Sequence, residues 1–311
     1  MHSLSIWSLS NHLQKKTLPS IQSNKKIKII SILTNKKKID LKLKKINLYK
    51  DKKKFFQNDK FDFVYISSIN SKHYQNTKFA LENKKNVICE KPISLNKAQL
   101  NNLFKIAKKN KKKFFEVIQY TNHPLFKKLK KIINNQVIGK ISYVKSSFKI
   151  PLNDKNNFRF KNKLGGGALN DVGFYPISIM FTLFDSRRIE ILKSKITKKN
   201  NLDINGSIST KNENKILFEL DWGFKSLYQN NIKIFGTDGV IEVNFIYSKN
   251  IKQNGKIKIF KTKKSLINVP NANQINLAFN EMLSAKKSFF NKRYKLSLQI
   301  INIIEKLKKK I

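Results

Sequence analysis

The chain has 311 residues, which exceeds the usual size of one hydrophobic core and therefore predicts two domains. Hydrophobic residues make up 40% of it, so a folded globular protein is expected despite a formal net charge of +46. The positive charge is almost all lysine; arginine, whose forked guanidinium suits phosphates and bases, occurs only at positions 159, 187, 188 and 293. The charge therefore predicts a solvated surface and no specific nucleic-acid partner.

Targeting and redox signals point to the same compartment. The N-terminal residues lack the basic start and long apolar centre of a signal peptide, and no uncharged stretch approaches the length of a membrane span. Cys89 is the only cysteine, which excludes an intramolecular disulfide, and as the end of a short apolar run it is expected to be a buried core residue. We expect a cytoplasmic protein with no membrane partner and no metal site.

Short apolar runs alternate with helical patterns in the first part of the chain. The predicted strands are Leu4–Trp7, Ile27–Leu33, Phe61–Ile66, Asn86–Cys89 and Lys113–Ile118. The predicted helices or crossover segments are His12–Ser20, Leu41–Phe56, His73–Glu82 and Asn96–Lys109. Alternation of strand and helix predicts an α/β fold with a doubly wound parallel sheet.

After Lys140 the pattern changes to longer alternating segments with few helices between them. The predicted strands here are Ile141–Ile150, Ile189–Ile196, Ile204–Thr210, Ile216–Trp222, Tyr228–Gly236, Val240–Phe245 and Lys256–Lys261. They predict an α+β domain with a large, open, mostly antiparallel sheet. We place the domains at residues 1–121 and 122–311, and expect the helical stretch Ile275–Ile311 to pack against one of them.

One segment of the first domain carries a candidate catalytic lysine. Residues 61–93 contain a strand, a loop, a helix and another strand, followed by Glu90-Lys91-Pro92. Ligands of parallel α/β sheets bind beyond the carboxyl ends of the strands, which is where this tripeptide is expected. A lysine there, beside a carboxylate and followed by a stiffening proline, can donate a proton or hydrogen bond to a reacting oxygen.

A second candidate segment follows a run of three glycines. Gly165–Gly167 predicts a loop that a ligand can approach closely, and the helix after it carries Asp171 and Tyr175 on one face, four residues apart. Gly173 on that helix permits close packing. In the alternative interpretation, Tyr175 and Phe174 are core aromatic residues and Asp171 is merely a surface residue of the helix.

These segments together resemble the Gfo/Idh/MocA family of oxidoreductases. The resemblance covers nearly the whole chain and rests on CEKP, NHPLFKKLKKIINNQVIGKISYVKSSF, RFKNKLGGGALNDVGFYPI, IFGTDGVIEV and the terminal YKLSLQIINIIEKLKK. It implies a Rossmann domain before an open-faced α/β domain, and NAD(P)-dependent hydride transfer at a CH–OH or ketone carbon of a sugar or sugar nucleotide. It also implies functional residues: Lys91 as the catalytic lysine, Tyr175 in proton transfer, Asp171 as the acidic position, and Asn122 and Arg159 as neighbours of the substrate.

The first loop departs from the family pattern, because the chain has no glycine before Gly139. The alignment puts Ser8, Ser10 and Leu13 at the glycine positions of the dinucleotide fingerprint, with Asn11 in the same loop. The serine hydroxyls could bond phosphate, and Leu13 could be accommodated if the helix shifts outward.

The remaining cofactor candidates follow later strands. Thr34, Asn35 and Lys36, with Lys37 behind them, include no carboxylate for the ribose hydroxyls, and the lysines suit the 2′-phosphate of NADP, so the cofactor is predicted as NADP or NAD. A larger group matches the family's loops beside the cofactor: Ser67, Ser68, Asn70, His73, Glu90, Lys91 and Pro92. His73 could equally be a helix-start residue with no ligand.

Two other functions compete with the oxidoreductase. A catalytically silent Rossmann relative that binds a sugar or a partner is favoured by the missing glycines and opposed by Lys91, Asp171 and Tyr175. A basic nucleic-acid-binding protein is supported by the charge alone. The open sheet predicts a homodimer or homotetramer joined through its exposed face.

Overall fold

The computed structural model describes residues 1–36, 46–154, 156–249 and 253–309. The chain divides into two units, and neither of them is continuous in sequence. The first consists of Met1–Ile118 and Ile275–Ile301, and the second of Gln119–Gln274 and Asn302–Ile311.

A six-stranded parallel sheet forms the centre of the first unit. Its strands are β1 His2–Trp7, β2 Ile27–Leu33, β3 Asn47–Tyr49, β4 Phe63–Ile66, β5 Asn86–Cys89 and β6 Phe114–Glu116. The strand order is β3-β2-β1-β4-β5-β6, and every pair is parallel. The order reverses between β1 and β4, and ligands of such sheets bind beyond the carboxyl ends of the strands at this reversal.

Helices cover the parallel sheet. They are a π-helical turn Leu13–Thr17, α1 Leu18–Gln22, α2 Lys52–Asn58, α3 Asn70–Glu82 and α4 Lys97–Lys109. The first unit also takes most of α7, Gln274–Leu283, and of α8, Lys287–Lys308. Phe279 of α7 packs its ring edge on Tyr65 at 5.2 Å, and Phe290 of α8 packs on Phe114 at 5.3 Å, so both late helices complete the core of this unit.

The segment Leu41–Phe56, predicted as a helix or a crossover segment, contains more than one element. Residues 41–45 lie outside the described residues, Asn47–Tyr49 is the edge strand β3, and the helix begins only at Lys52. Asp51 explains that start, because its side chain accepts a hydrogen bond from the Lys54 N–H at 2.8 Å and caps the helix. The predicted C-terminal stretch is likewise two helices, and its last residue, Ile311, lies outside the described residues.

An eight-stranded sheet forms the second unit. Its strands are β7 Ile141–Lys149, β8 Ile189–Lys199, β9 Leu202–Asn212, β10 Leu217–Gly223, β11 Gln229–Gly236, β12 Gly239–Asn244, β13 Gly255–Phe260 and β14 Lys264–Val269. The order is β14-β13-β12-β11-β7-β10-β9-β8, and all pairs are antiparallel except β7 with β10. The edge strand β14 was missed by the sequence analysis because KSLINV is polar and mostly exposed.

Helical elements lie on one face of this sheet. They are a 3₁₀ turn Gln119–Asn122, α5 Pro124–Asn134, short 3₁₀ turns at Phe158–Phe160 and Asn162–Leu164, a π-helical turn Leu169–Gly173, and α6 Phe174–Thr182. A Cβ on Gly173 would lie 3.0 Å from the Trp222 ring, so this glycine lets the helix approach the sheet. The other face of the sheet is more exposed and mixes polar pairs with apolar side chains such as Leu217 and Phe235. On it, Tyr143 donates to Glu219 at 2.6 Å, and Lys233 is paired with Glu242 at 2.6 Å.

The predicted fold class is confirmed by these two sheets. The first is the doubly wound parallel sheet of a Rossmann domain, and the second is large and mostly antiparallel. Among the described residues, no helix combines the length and the apolar character that crossing a membrane requires.

Candidate functional site

The turn after β1 keeps the backbone shape of a glycine turn without a glycine. Ser8 has φ +79°, in the left-handed region that the first fingerprint glycine normally occupies. Its N–H donates to the Leu33 carbonyl at 2.8 Å, and its carbonyl accepts from the Ser67 hydroxyl at 3.0 Å. The turn is therefore tied to the carboxyl ends of β2 and β4, the two neighbours of β1.

Ser10 holds the start of the following helical segment. Its hydroxyl oxygen accepts from the Leu13 N–H at 3.1 Å and lies 3.2 Å from the Ser67 hydroxyl. Leu13 is fully buried as the first residue of the π-helical turn. The side chains at the second and third fingerprint positions are thus both engaged within the protein.

A lysine lies against the same loop from the end of β2. The Lys36 ammonium donates to the Asn11 side-chain oxygen at 3.3 Å, and the Lys36 N–H donates to the Thr34 hydroxyl at 3.2 Å. Asn35 and Lys36 are exposed, while Lys37 lies outside the described residues. An exposed cation at this place fits a phosphate on the ribose of a bound dinucleotide.

The segment with Lys91 follows β5 and is held from both sides. The buried Tyr65 donates its hydroxyl proton to Glu90 Oε1 at 2.5 Å, and burial, with the nearby Glu90, raises the Tyr65 pKa well above its usual value. Lys91 is half-buried, and the Lys91–Pro92 peptide bond is cis. The sequence-predicted Glu90, Lys91 and Pro92 are thus at the carboxyl edge of the parallel sheet.

His73 joins this segment to the loop after β4. It lies one turn into α3, is buried, and places Nδ1 2.8 Å from the Pro92 carbonyl and Nε2 2.8 Å from the Ser68 carbonyl. Burial lowers the pKa of His73, and its hydrogen bonds to the two carbonyls oppose that shift. Asn70, also predicted, is the buried first residue of α3.

In the second unit, Arg159 and Asp171 form an ion pair. The Arg159 Nε donates to Asp171 Oδ2 at 2.5 Å, and the Asp171 side chain is buried on the π-helical turn. The alternative that Asp171 is a surface residue is therefore wrong. The helix predicted after the glycines begins as a π-helical turn and continues as α6. Such π-helical turns are frequent at functional sites.

Aromatic rings surround Tyr175 on α6. Its ring centroid lies 4.9 Å from that of Phe148, 5.6 Å from Tyr247 and 6.1 Å from Tyr120. Tyr120 is itself fixed by hydroxyl contacts to Ser178 at 2.6 Å and Thr182 at 2.9 Å. This packing fixes the plane of the Tyr175 ring, which remains half-exposed.

Asn122 and the glycine loop complete the predicted residues of the second unit. Asn122 is buried two residues after Tyr120, and its side-chain oxygen accepts from the Thr121 hydroxyl at 3.3 Å. A Cβ on Gly166 would lie 2.5 Å from the Arg159 carbonyl oxygen, so the loop packs tightly against the backbone of Arg159.

Two carboxylates, the half-buried Asp203 and the buried Glu116, were missed by the sequence analysis. Asp203 accepts from the Leu169 N–H at 2.5 Å, at the start of the π-helical turn, and burial raises its pKa. Glu116 ends β6 and accepts from the Ile93 N–H at 2.9 Å, just after Lys91-Pro92. The available signal for Glu116 was a carboxylate inside the apolar run FFEVI, where an unpaired charge would be costly.

The first unit's geometry fits a nicotinamide dinucleotide. A left-handed turn after the first strand, a cation after the second and polar residues after the fourth surround the strand-order reversal of the parallel sheet. The fold and these loops define the class of Rossmann proteins that bind dinucleotides.

Two family models match this chain. One, described as an oxidoreductase family with an NAD-binding Rossmann fold, covers residues 10–118. The other, a GFO/IDH/MocA C-terminal domain, covers residues 126–242. The chain belongs to the GFO/IDH/MocA family of oxidoreductases, and the predicted family is confirmed.

Curated relatives share about a quarter of the aligned residues. A dTDP-3,4-didehydro-2,6-dideoxy-α-D-glucose 3-reductase from Actinomadura kijaniata is 26% identical over 194 residues, which cover 62% of this chain and 58% of that protein. A trans-1,2-dihydrobenzene-1,2-diol dehydrogenase from Xenopus tropicalis is 26% identical over 183 residues, which cover 58% of this chain and 55% of that protein. The aligned part therefore spans somewhat more than half the length of these relatives.

Solved structures share the fold over nearly the full length. A variant of a 3-ketoreductase from Actinomadura kijaniata, in complex with TDP-benzene and NADP, has a TM-score of 0.92 and 18% identity, and the match covers 99% of this chain and 97% of that one. An aldose-aldose oxidoreductase from Caulobacter crescentus complexed with glycerol has a TM-score of 0.85 and 15% identity, covering 99% and 96%.

Proposed function

We propose that this protein is an NAD(P)-dependent oxidoreductase that acts on a carbinol or ketone carbon of a sugar or sugar nucleotide. The observation that carries the proposal is Lys91, held at the carboxyl edge of the Rossmann sheet by contacts of its neighbours Glu90, Pro92 and Ile93. Membership in the oxidoreductase family and relatives named as sugar-nucleotide reductases support it. A bound nicotinamide supplies or accepts the hydride.

Each catalytic candidate has a distinct role in this proposal. The Lys91 ammonium stabilises the substrate oxygen and Tyr175 transfers its proton. Asp171, paired with Arg159, orients or tunes these groups, because a buried ion pair fixes the position of both partners. Asn122 and Arg159 contact the substrate.

The proposed cofactor residues lie in four loops of the first unit. They are Ser8, Ser10 and Asn11 after β1, Thr34, Asn35 and Lys36 after β2, Ser67, Ser68, Asn70 and His73 after β4, and Glu90, Lys91 and Pro92 after β5. The exposed ammonium of Lys36 against Asn11 favours NADP over NAD, because it places a cation where a 2′-phosphate is expected.

A catalytically silent protein is the second candidate. The engaged hydroxyl of Ser10 favours it, because this side chain occupies space that a glycine leaves for the pyrophosphate. Titration with NADPH and NADH, followed by nicotinamide fluorescence, separates the two candidates. Saturable binding supports the oxidoreductase, whereas no binding at millimolar concentration of either nucleotide would leave the silent protein.

Replacement of the lysine tests its proposed role directly. We expect Lys91→Ala to abolish measurable turnover and leave NADPH affinity within about threefold, because a proton-handling group acts mainly in the transition state. The measurement is single-turnover NADPH oxidation with a panel of keto sugars and dTDP-linked keto sugars. Turnover within a few-fold of the unaltered protein would remove Lys91 from the mechanism.

Tyr175→Phe is the matched test of the phenol. It removes one oxygen and leaves the ring against Phe148, Tyr120 and Tyr247, so the fold is expected to be unchanged. A proton-transfer role predicts a kcat about 100- to 10,000-fold lower with little change in KM. An unchanged kcat would mean that Tyr175 only packs.

Three further proposals concern the whole protein. The domains at 1–121 and 122–311 would bind cofactor and substrate, respectively, and the protein would work in the cytoplasm. It would form a homodimer or homotetramer through the exposed face of the eight-stranded sheet. Charged side chains on that face can pair with those of a second copy. Light scattering at micromolar concentration tests the assembly, and a monomer mass would reject it.

A further inference from the structure

Glu116 is a fully buried carboxylate that the proposed mechanism does not use. It lies at the end of β6, its side chain is buried, and both of its oxygens accept hydrogen bonds. Oε1 accepts from the Ile93 N–H at 2.9 Å, and Oε2 accepts from the Ser297 hydroxyl of α8 at 2.6 Å. Burying a carboxylate costs desolvation free energy that an apolar residue would not, and hydrogen bonds offset that cost.

The charges around Glu116 are those of the lysine segment and of α8. Burial raises the pKa of Glu116, while the Ser297 and Ile93 hydrogen bonds and the positive charges of Arg293 and Lys91 lower it. The Arg293 guanidinium also donates to the Glu116 backbone carbonyl at 3.2 Å. The carboxylate is therefore close enough to interact with Lys91 electrostatically while it bonds to the backbone two residues later.

The Ile93 hydrogen bond is one of three that fix the Glu90–Ile93 segment. Tyr65 holds the Glu90 side chain, and His73 lies between the Pro92 and Ser68 carbonyls. The Ile93 N–H, in contrast, donates directly to a side-chain oxygen of Glu116, which joins the backbone of the segment to β6.

We propose that Glu116 is a positioning residue for Lys91, which it acts on through the Ile93 N–H, with Ser297 fixing the carboxylate. The proposal rests on the proposed function in that Lys91 must be catalytic for the position to affect turnover. Its structural part, the tethering of the Glu90–Ile93 segment, does not depend on the reaction.

The experiment compares Glu116→Ala with Glu116→Gln in the full-length protein. Alanine removes both hydrogen bonds, so the lysine segment loosens and kcat is expected to fall about 10- to 100-fold, with KM and NADPH affinity within about threefold. Glutamine keeps an oxygen for the Ile93 N–H, and the Ser297 hydroxyl can turn to accept from the new amide, so its kcat is expected within about threefold of the unaltered protein.

Amide exchange gives a readout that needs no activity. Hydrogen–deuterium exchange at Ile93, resolved by mass spectrometry, is expected to accelerate at least tenfold in Glu116→Ala and to stay protected in Glu116→Gln. The matched control is Asp59→Ala, which removes another buried side-chain carboxyl group of the same unit. Asp59 accepts a hydrogen bond from Asn47 at 2.9 Å, away from the Glu90–Ile93 segment. The control is expected to lower stability without changing kcat or Ile93 exchange.

Several outcomes would overturn the proposal. They are protected Ile93 exchange in Glu116→Ala, a normal kcat in that folded variant, no rescue by glutamine, or the same loss of kcat in Asp59→Ala. If Glu116→Ala does not fold, Ser297→Ala is tested instead. Its kcat is expected to fall about three- to tenfold, and an unchanged kcat would contradict the role of Glu116. An unaltered protein without turnover would reject the proposed function, and Ile93 exchange would still decide the tether.

Discussion

Two turns of this chain adopt left-handed backbone beside residues of the proposed site, and they use different residues. After β1 the residue is Ser8, with φ +79°. Before the π-helical turn of the second unit it is Gly167, with φ +102°. A serine can occupy the first conformation at a modest cost, because it borders the small left-handed region open to all residues. The second is accessible almost only to glycine.

Neighbouring atoms strengthen the difference between the two turns. A Cβ on Gly167 would overlap the carboxylate of Asp203, which is already bonded to the Leu169 N–H. At Ser8 the carbonyl and the N–H are hydrogen-bonded, and the side chain is only half-buried. Loss of glycine is therefore tolerable where a turn needs only its backbone angle, and not where another group fills the space of the side chain.

The exchange of Gly167 for serine should have the largest effect. Gly167→Ser combines a φ unsuited to a side chain with displacement of Asp203, and we expect the free energy of unfolding to fall by about 3 kcal/mol. Urea denaturation followed by circular dichroism measures it. A loss below about 1 kcal/mol would show that the two turns differ less than their geometry indicates.

The loss of the Ser10 hydroxyl should have an intermediate effect. Ser10→Ala leaves the Leu13 N–H without its acceptor and removes the contact with Ser67, so a loss of about 1 kcal/mol is expected. The same denaturation assay applies, with Ser23→Ala as a control at an exposed serine of the first unit whose hydroxyl donates to the Ser20 carbonyl at 2.9 Å. Equal losses in the two variants would mean that Ser10 has no special part in the turn.

The smallest effect is expected where glycine is restored. Ser8→Gly removes the strain of a side chain at positive φ, but it also increases the conformational entropy of the unfolded chain. The net effect should raise the free energy of unfolding by about 0.5 kcal/mol. Opposite signs for Ser8→Gly and Gly167→Ser would support the comparison. A destabilised Ser8→Gly would instead indicate an unrecognised contact of the Ser8 side chain.

The sequence predicted buried strands well because their apolar runs are continuous. Ile27–Leu33 and Asn86–Cys89 have the predicted bounds in the structure. The strands β3 and β14 were missed because both are sheet edges with polar or exposed residues, so no apolar period marks them. The π-helical turns were also missed, because five residues are too few to distinguish their period from that of an α-helix.

The candidate site was predictable only where a motif carried it. Lys91, Asp171 and Tyr175 stand in recognisable segments, whereas Glu116 and Asp203 are single carboxylates whose partners are distant in sequence. Glu116 meets Ser297 across 181 positions of the chain. Such a pair depends on the tertiary fold and leaves no local pattern.

The discontinuity of the first unit sets the order in which it can form during protein synthesis. Its residues 1–118 are synthesised before residues 119–274, and its remaining helices are synthesised only afterwards. At usual elongation rates of about 5–20 residues per second, that interval is on the order of ten seconds. Throughout it, Tyr65 lacks Phe279, Phe114 lacks Phe290 and Glu116 lacks Ser297. During this interval the Rossmann sheet is incomplete, and the aromatic surface that α7 and α8 later cover is accessible to chaperones or to other chains.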